Sequence, residues 1–172
     1  MLINGQRCFI AVSKLFRFRS EINVEANNVS DTHFTIKQQW NFIGPNYSIQ
    51  LGETPPVLFT TRSAVHLHFE CVHGKDIYTL YGHKKRRYSV FKNGIQIAAW
   101  RHELVTWFDG DNYTIEAENE CCKELITAFC LIIDNYYSNQ QGAILRLNLF
   151  KFAWKMKDAD IEWKPQHQIN GK

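Results

Sequence analysis

The residues best equipped for chemistry form one run, His83-Lys84-Lys85-Arg86-Arg87. It follows Gly82 and precedes an alternating apolar segment, which places it at a turn between two strands. Cationic side chains gathered at a turn create a positive potential suited to anion recognition. Near a negatively charged membrane each basic side chain is worth about 1 kcal/mol. Lys84, Lys85, Arg86 and Arg87 are therefore the candidate ligand-binding residues, and an anionic, phosphoinositide-like lipid headgroup is the candidate ligand. Tyr81, Tyr88 and Phe91 lie close enough in sequence to stack on bases. A net charge of +3 and a pI near 8.6 nevertheless fall short of the nucleic-acid footprint, a domain pI above about 9. The run also suits, and more simply, a solvated turn that discourages strand edges from pairing with another chain.

Other constellations carry less. His66, His68 and His73, with Cys71, are the only local set of metal-ligand types. On a strand His66 and His68 share one face and Cys71 takes the other, so a zinc site would need the chain to bend before His73. Cys121-Cys122 stands at a predicted helix start, where the dipole lowers a thiol pKa, but Glu116, Glu118, Glu120 and Glu124 oppose thiolate formation. Asp109-Gly110-Asp111-Asn112 lacks the twelve-residue spacing of an EF-hand loop and reads as a hairpin turn. Neither G-x-S-x-G, H-E-x-x-H, a phosphate-binding Gly loop nor a dinucleotide fingerprint occurs. The expectation is a chain with no catalytic residue, no cofactor and no metal.

These residues must be positioned by a fold that the remaining sequence outlines. A length of 172 residues suits one domain. Apolar residues at 45% and charged residues at 22% describe a globular chain with a real core. Aromatic residues at 14% favour strands. Charge is unevenly spread: residues 77–102 contain no acid, whereas residues 109–124 hold six acids against Lys123, which suggests a polarised surface. Five cysteines at irregular spacing fit reduced thiols in a cytoplasmic setting. Met1 to Gly5 lacks the basic start and apolar run of an export signal.

Period-two alternation marks strands at 33–40, 46–51 and 64–72, separated by Gly44-Pro45-Asn46, Pro55-Pro56 and His73-Gly74-Lys75-Asp76. The strongest local signal is Asn93-Gly94 between Arg87-Tyr88-Ser89-Val90-Phe91 and Ile95-Gln96-Ile97-Ala98-Ala99-Trp100, a type I′ hairpin. A second hairpin is predicted to join 104–108 to 113–117. The pattern then changes. Asn119 is a candidate cap, and residues 122–137 contain neither Gly nor Pro. From Leu125 to Ile133 the segment is apolar on every face, with about half the roughly 20 residues a membrane span needs. A helix apolar all round must be surrounded by protein. Periodicity alone also permits a strand at 130–133. Residues 144–156 fit either type, and 164–172 read as a frayed polar end.

Tyr78-Thr79-Leu80-Tyr81, Arg87 through Gly94, Ile97-Ala98-Ala99-Trp100, Asn112-Tyr113-Thr114-Ile115 and the helix from Lys123-Glu124-Leu125 to Ile133-Asp134 resemble the carboxyl-terminal part of the tubby-like superfamily. That superfamily takes in tubby domains, phospholipid scramblases and LURP-one-related proteins. The resemblance implies a closed antiparallel β-barrel around a central hydrophobic helix. It also implies, from tubby domains, phosphoinositide binding through basic residues, carried here only as a chemical type. The palmitoylated cysteine-rich stretch of scramblases is absent, so lipid transport is not expected.

The expected fold is mainly β (α+β): one tubby-like barrel domain over residues 1–172, with 138–172 as a carboxyl-terminal extension. The expected function is a non-catalytic binding or adaptor domain, cytoplasmic or peripheral at a membrane, whose partner is an anionic phospholipid or another protein. The alternatives are a small-molecule enzyme or carrier with a cavity inside the barrel, and a structural or protein-interaction domain.

Overall fold

Asn93 and Gly94 form the predicted two-residue turn, with φ of 50° and 84°, joining β10 (Arg87–Lys92) to β11 (Ile95–His102). Both residues occupy the left-handed region that a type I′ turn requires and that Asn and Gly tolerate. The Asn93 side chain then anchors the turn to its neighbour: Oδ1 accepts the Ile77 N–H at 2.9 Å and Nδ2 donates to Asp76 Oδ1 at 2.7 Å.

The computed structural model describes residues 2–3, 6–7, 9–14, 21–26, 34–40, 44–63, 67–83, 86–102, 113–140 and 163–166. Ahead of that hairpin lie β1 (Leu2–Ile3), β2 (Gln6–Arg7), β3 (Phe9–Lys14), β4 (Glu21–Ala26), β5 (Phe34–Trp40), β6 (Pro45–Leu51), β7 (Val57–Thr61), β8 (His68–His73) and β9 (Asp76–His83). After it come β12 (Tyr113–Ala117) and one helix, α1 (Lys123–Gln140). The strands form a single sheet in the order β2-β1-β12-β11-β10-β9-β8-β7-β6-β5-β4-β3. Neighbours are antiparallel except β1 and β12, which run parallel with Leu2 opposite Thr114. The strands at the two ends of that order, β2 and β3, are separated in the chain only by residue 8.

Alternation decides which face each strand buries. Val57, Phe59 and Thr61 of β7 point inward, as do Phe69 and Cys71 of β8 and Tyr78 and Leu80 of β9. Onto this face packs α1. Every residue from Leu125 to Ile133 is at most 8% exposed, and Leu125, Ile126, Phe129 and Ile132 are at 0%. Burial on all sides is what a helix with no polar stripe demands. Residues 130–133 lie within α1, which settles their two readings in favour of helix. Phe129 stacks on Phe59 at 4.6 Å between ring centroids and meets Tyr78 edge-on at 6.2 Å.

Several boundaries differ from expectation. The helix starts at Lys123, four residues after Asn119, and its cap is Cys122, whose carbonyl accepts the Ile126 N–H at 3.1 Å. Pro45 and Asn46 belong to β6 rather than to a turn. Pro45 stands at the first strand position, where a missing N–H is tolerated, and Asn46 Oδ1 accepts the buried Thr61 N–H at 3.0 Å. Of the expected polar end at 164–172, Pro165 is buried and the Gln166 N–H donates to Glu118 Oε1 at 3.0 Å, while 167–172 lie outside the described residues. The expected strand at 104–108, its turn at 109–112 and the ambiguous segment 144–156 lie outside the described residues.

Phe129→Ala removes the ring at the centre of this packing. Loss of a buried aromatic costs about 3–5 kcal/mol, to be seen as a lower urea midpoint with an unchanged denaturant slope. At Gly82 an added Cβ would sit 2.8 Å from the Leu67 Cβ. Gly82→Ala is expected to cost about 1–3 kcal/mol by overpacking, read from the same transition.

Candidate functional site

The basic turn joins β9 to β10, and its geometry follows from their register. His83 pairs with Arg87, and Arg87 pairs on its other side with Arg101 of β11. All three side chains take the outward parity, because Gly82, Tyr88 and Trp100 beside them are buried inward. The result is a row of cationic or protonatable groups crossing three strands at one end of the sheet. Arg86, exposed and at φ 52°, projects from the turn above the row. Lys84 and Lys85 lie outside the described residues.

Two features set this row apart. Like charges directly opposite one another destabilise an antiparallel pair, and Arg87 and Arg101 stand so. Three other cations are neutralised: Arg62 by Glu70, Lys92 by Asp76 at 2.9 Å and Lys37 by Glu21 at 3.9 Å. Among the described residues Arg86, Arg87 and Arg101 enter no ion pair. Arg87 is also half-buried, and its Nε is shut off from solvent without a hydrogen-bond acceptor. Arg87 is thus less solvated than Arg86 beside it. A buried guanidinium N–H without an acceptor is costly, and a guanidinium presents its donors in a fork matched to phosphate or carboxylate.

Next to the row the outward face carries ordered aromatic and hydroxyl groups. His83 Nε2 lies 2.7 Å from Ser89 Oγ. His68 stacks on Tyr81 at 4.7 Å between centroids, and Tyr81 meets Phe91 edge-on at 5.7 Å. His68 is thus an outward ring packed on Tyr81, on the face opposite Cys71 as its spacing requires. His73 pairs with Asp76 at the far end of the strands, and His66 lies outside the described residues. Among the described residues no group of three or more His, Cys, Asp or Glu is placed to hold a metal ion.

The four described cysteines, Cys71, Cys121, Cys122 and Cys130, are free thiols. Burial pushes Cys71 up to about 12 and Cys121 up to about 11 from an ordinary 9.0. Cys130, fully enclosed on α1, is raised further. Cys122 is raised by burial first; backbone N–H groups at the helix start, Leu125 foremost, oppose the shift, while its Glu124 neighbour, 3.4 Å from the sulfur, adds to it. Desolvation and the adjacent carboxylate therefore outweigh the helix terminus, and no thiolate is favoured at neutral pH.

Comparison with protein-family models, with curated proteins and with solved structures finds no match. The site is therefore defined by its own chemistry. Arg101→Thr, which removes one member of the facing Arg pair and restores a good strand former, is expected to stabilise the free protein by about 0.5 kcal/mol at low salt, seen as a small rise in thermal midpoint. The buried thiols set a pH limit in the other direction. Unfolded thiols ionise near their ordinary 9.0, whereas folded Cys71 and Cys121 hold their protons to about 12 and 11. Their contribution to stability is complete below pH 9 and falls as pH rises through those values, so the urea midpoint is expected to be lower at pH 10.5 than at pH 8.

Proposed function

We propose that this chain is a non-catalytic binding module that takes the phosphate of an anionic lipid headgroup at the end of its sheet, through Arg86, Arg87 and Arg101 with His83 beside them and Lys84 and Lys85 in the same turn. The observation that carries the reading is the row itself: an Arg pair held face to face across two strands, with no acidic partner among the described residues and a buried Nε awaiting an acceptor. Such an arrangement opposes folding unless an anion relieves it. A phosphate bridging two guanidinium groups supplies charge-assisted hydrogen bonds of the strong class.

The scaffold in this proposal is a closed barrel around α1, as the tubby-like resemblance implies. Two observations support closure. The strands at opposite ends of the sheet order are joined through a single residue, and α1 is buried on all its faces from Leu125 to Ile133. Leu125, Ile126, Phe129 and Ile132 occupy the space in which an internal ligand would sit, which favours the outer row over a lumenal site. Among the described residues no helix is long and apolar enough to cross a membrane, and the proposed association is peripheral.

The test is co-sedimentation with phosphatidylcholine vesicles, with and without phosphatidylserine or a phosphoinositide, comparing wild type with Arg86→Ala/Arg87→Ala/Arg101→Ala. At about 1 kcal/mol per basic residue the variant should bind anionic vesicles roughly a hundredfold more weakly. Binding should decline with salt in the wild type. Equal binding by both proteins, or none by either, removes the proposal.

A further inference from the structure

We infer that the face carrying the cationic row also carries an apolar contact for the same bilayer: Leu58, Val72 and Ile77, side by side on β7, β8 and β9, enter its interfacial layer while the arginines hold the phosphates. This rests on the headgroup reading and adds the apolar half of the contact.

Register makes the three residues neighbours. Val72 pairs directly with Ile77, and one step beyond the Phe59–Cys71 pair Leu58 falls opposite Val72. Their inward neighbours Val57, Phe59, Cys71 and Tyr78 are at most 4% exposed, whereas Leu58, Val72 and Ile77 are 49%, 56% and 47% exposed. A single exposed aliphatic residue is ordinary. Three side by side on adjacent strands form an apolar patch, the kind that marks an interaction surface.

What occupies the patch is indicated by the rest of the face. Outward residues of β9 run Ile77, Thr79, Tyr81, His83; those of β10, read in the same direction, run Phe91, Ser89, Arg87. Along the strands the face therefore passes from aliphatic residues through the His68–Tyr81–Phe91 rings to the cations. Hydrocarbon, aromatic belt and charged headgroup follow one another in the same order through a membrane interface. From Ile77 to His83 is roughly 20 Å of strand at about 3.3 Å per residue, while one headgroup layer is roughly 5–8 Å thick. The strands must consequently lie obliquely, nearer the membrane plane than its normal. Charge agrees: Glu70 on this face is paired with Arg62 and Asp76 with Lys92, and Lys75, in the turn between Val72 and Ile77, is exposed. A second copy of the chain fits less well, because a stable interface needs about 800 Å² from each partner, far more than three half-exposed aliphatic side chains offer.

The experiment uses vesicles of phosphatidylcholine with phosphatidylserine at low and high salt, with three proteins: wild type, the Arg86/Arg87/Arg101 alanine variant, and Leu58→Ser/Val72→Thr/Ile77→Thr. The apolar variant is expected to bind at least about tenfold more weakly at both salt concentrations, with the salt dependence unchanged. The arginine variant should lose the salt-dependent part. As a second readout, Val72→Trp should add blue-shifted emission when vesicles are present. Loss of binding in the arginine variant, together with wild-type binding by the apolar variant or no shift from the added Trp, overturns this inference and leaves the headgroup reading standing. Undiminished binding by the arginine variant, or no binding by the wild type, overturns both. If the apolar variant instead changes only the oligomeric mass in solution, the patch is a contact between chains and the inference fails.

Discussion

A helix with no polar face is the constraint around which this molecule is organised. From Leu125 to Ile133 the chain presents apolar side chains in every direction, with Thr127 the only polar residue, and all nine positions are buried. Such a segment cannot lie on a sheet as an amphipathic helix does, with one side in water. It needs partners around its whole circumference, and inward rows of β5 to β9 are among them. Phe59, Phe69 and Tyr78 face Phe129 and Tyr136 on one side, and contacts to β5 and β6 extend the cover. Among the described strands the inward face is taken up by the helix, and the outward rows remain on the surface.

Much of this was legible in the residues. Period-two alternation located β5, β6 and β8, and Asn93-Gly94 defined the β10–β11 hairpin because few dipeptides tolerate two left-handed residues. The helix was legible from its uniform hydrophobicity, but its start was not. Asn119 is the better capping residue by type, yet the chain from Glu118 to Cys121 closes a turn, with the Cys121 N–H donating to the Glu118 carbonyl at 3.2 Å, and the helix begins only after Cys122. Packing of the thiols against the core chose the cap over propensity. Pro45 misled for a related reason. Gly44-Pro45-Asn46 has turn chemistry, but a strand entry uses the same residues when Asn46 finds the Thr61 N–H.

The cationic site shows a subtler limit. Arg87 was visible in the basic run; Arg101 was not, because its position depends on one irregularity. An unbroken two-residue hairpin that pairs Lys92 with Ile95 would set Arg87 against Trp100 and turn Arg101 to the opposite face. The register instead shifts between Val90 and Phe91, so that Val90 meets Ala98 and Arg87 meets Arg101. A β-bulge adds one residue to one strand and re-aims every side chain beyond it. Here it sends Trp100 inward to stack on Tyr88 at 5.4 Å and aligns the two arginines outside. Core packing of an indole and assembly of an anion site are thus consequences of the same extra residue, and neither can be read from spacing without knowing where the bulge falls.

The parallel pairing of β1 with β12 has a consequence for biosynthesis. Leu2 and Ile3 pair with Arg7 and Gln6 on one side and with Thr114 and Ile115 on the other, so one edge of β1 waits until β12 has been made. At about 5–20 residues per second of synthesis, that delay is roughly 5 to 20 s. Through that interval one edge of β1 offers unsatisfied backbone groups to the cell, and the described strands are complete before the helix that packs on their inward face has left the ribosome.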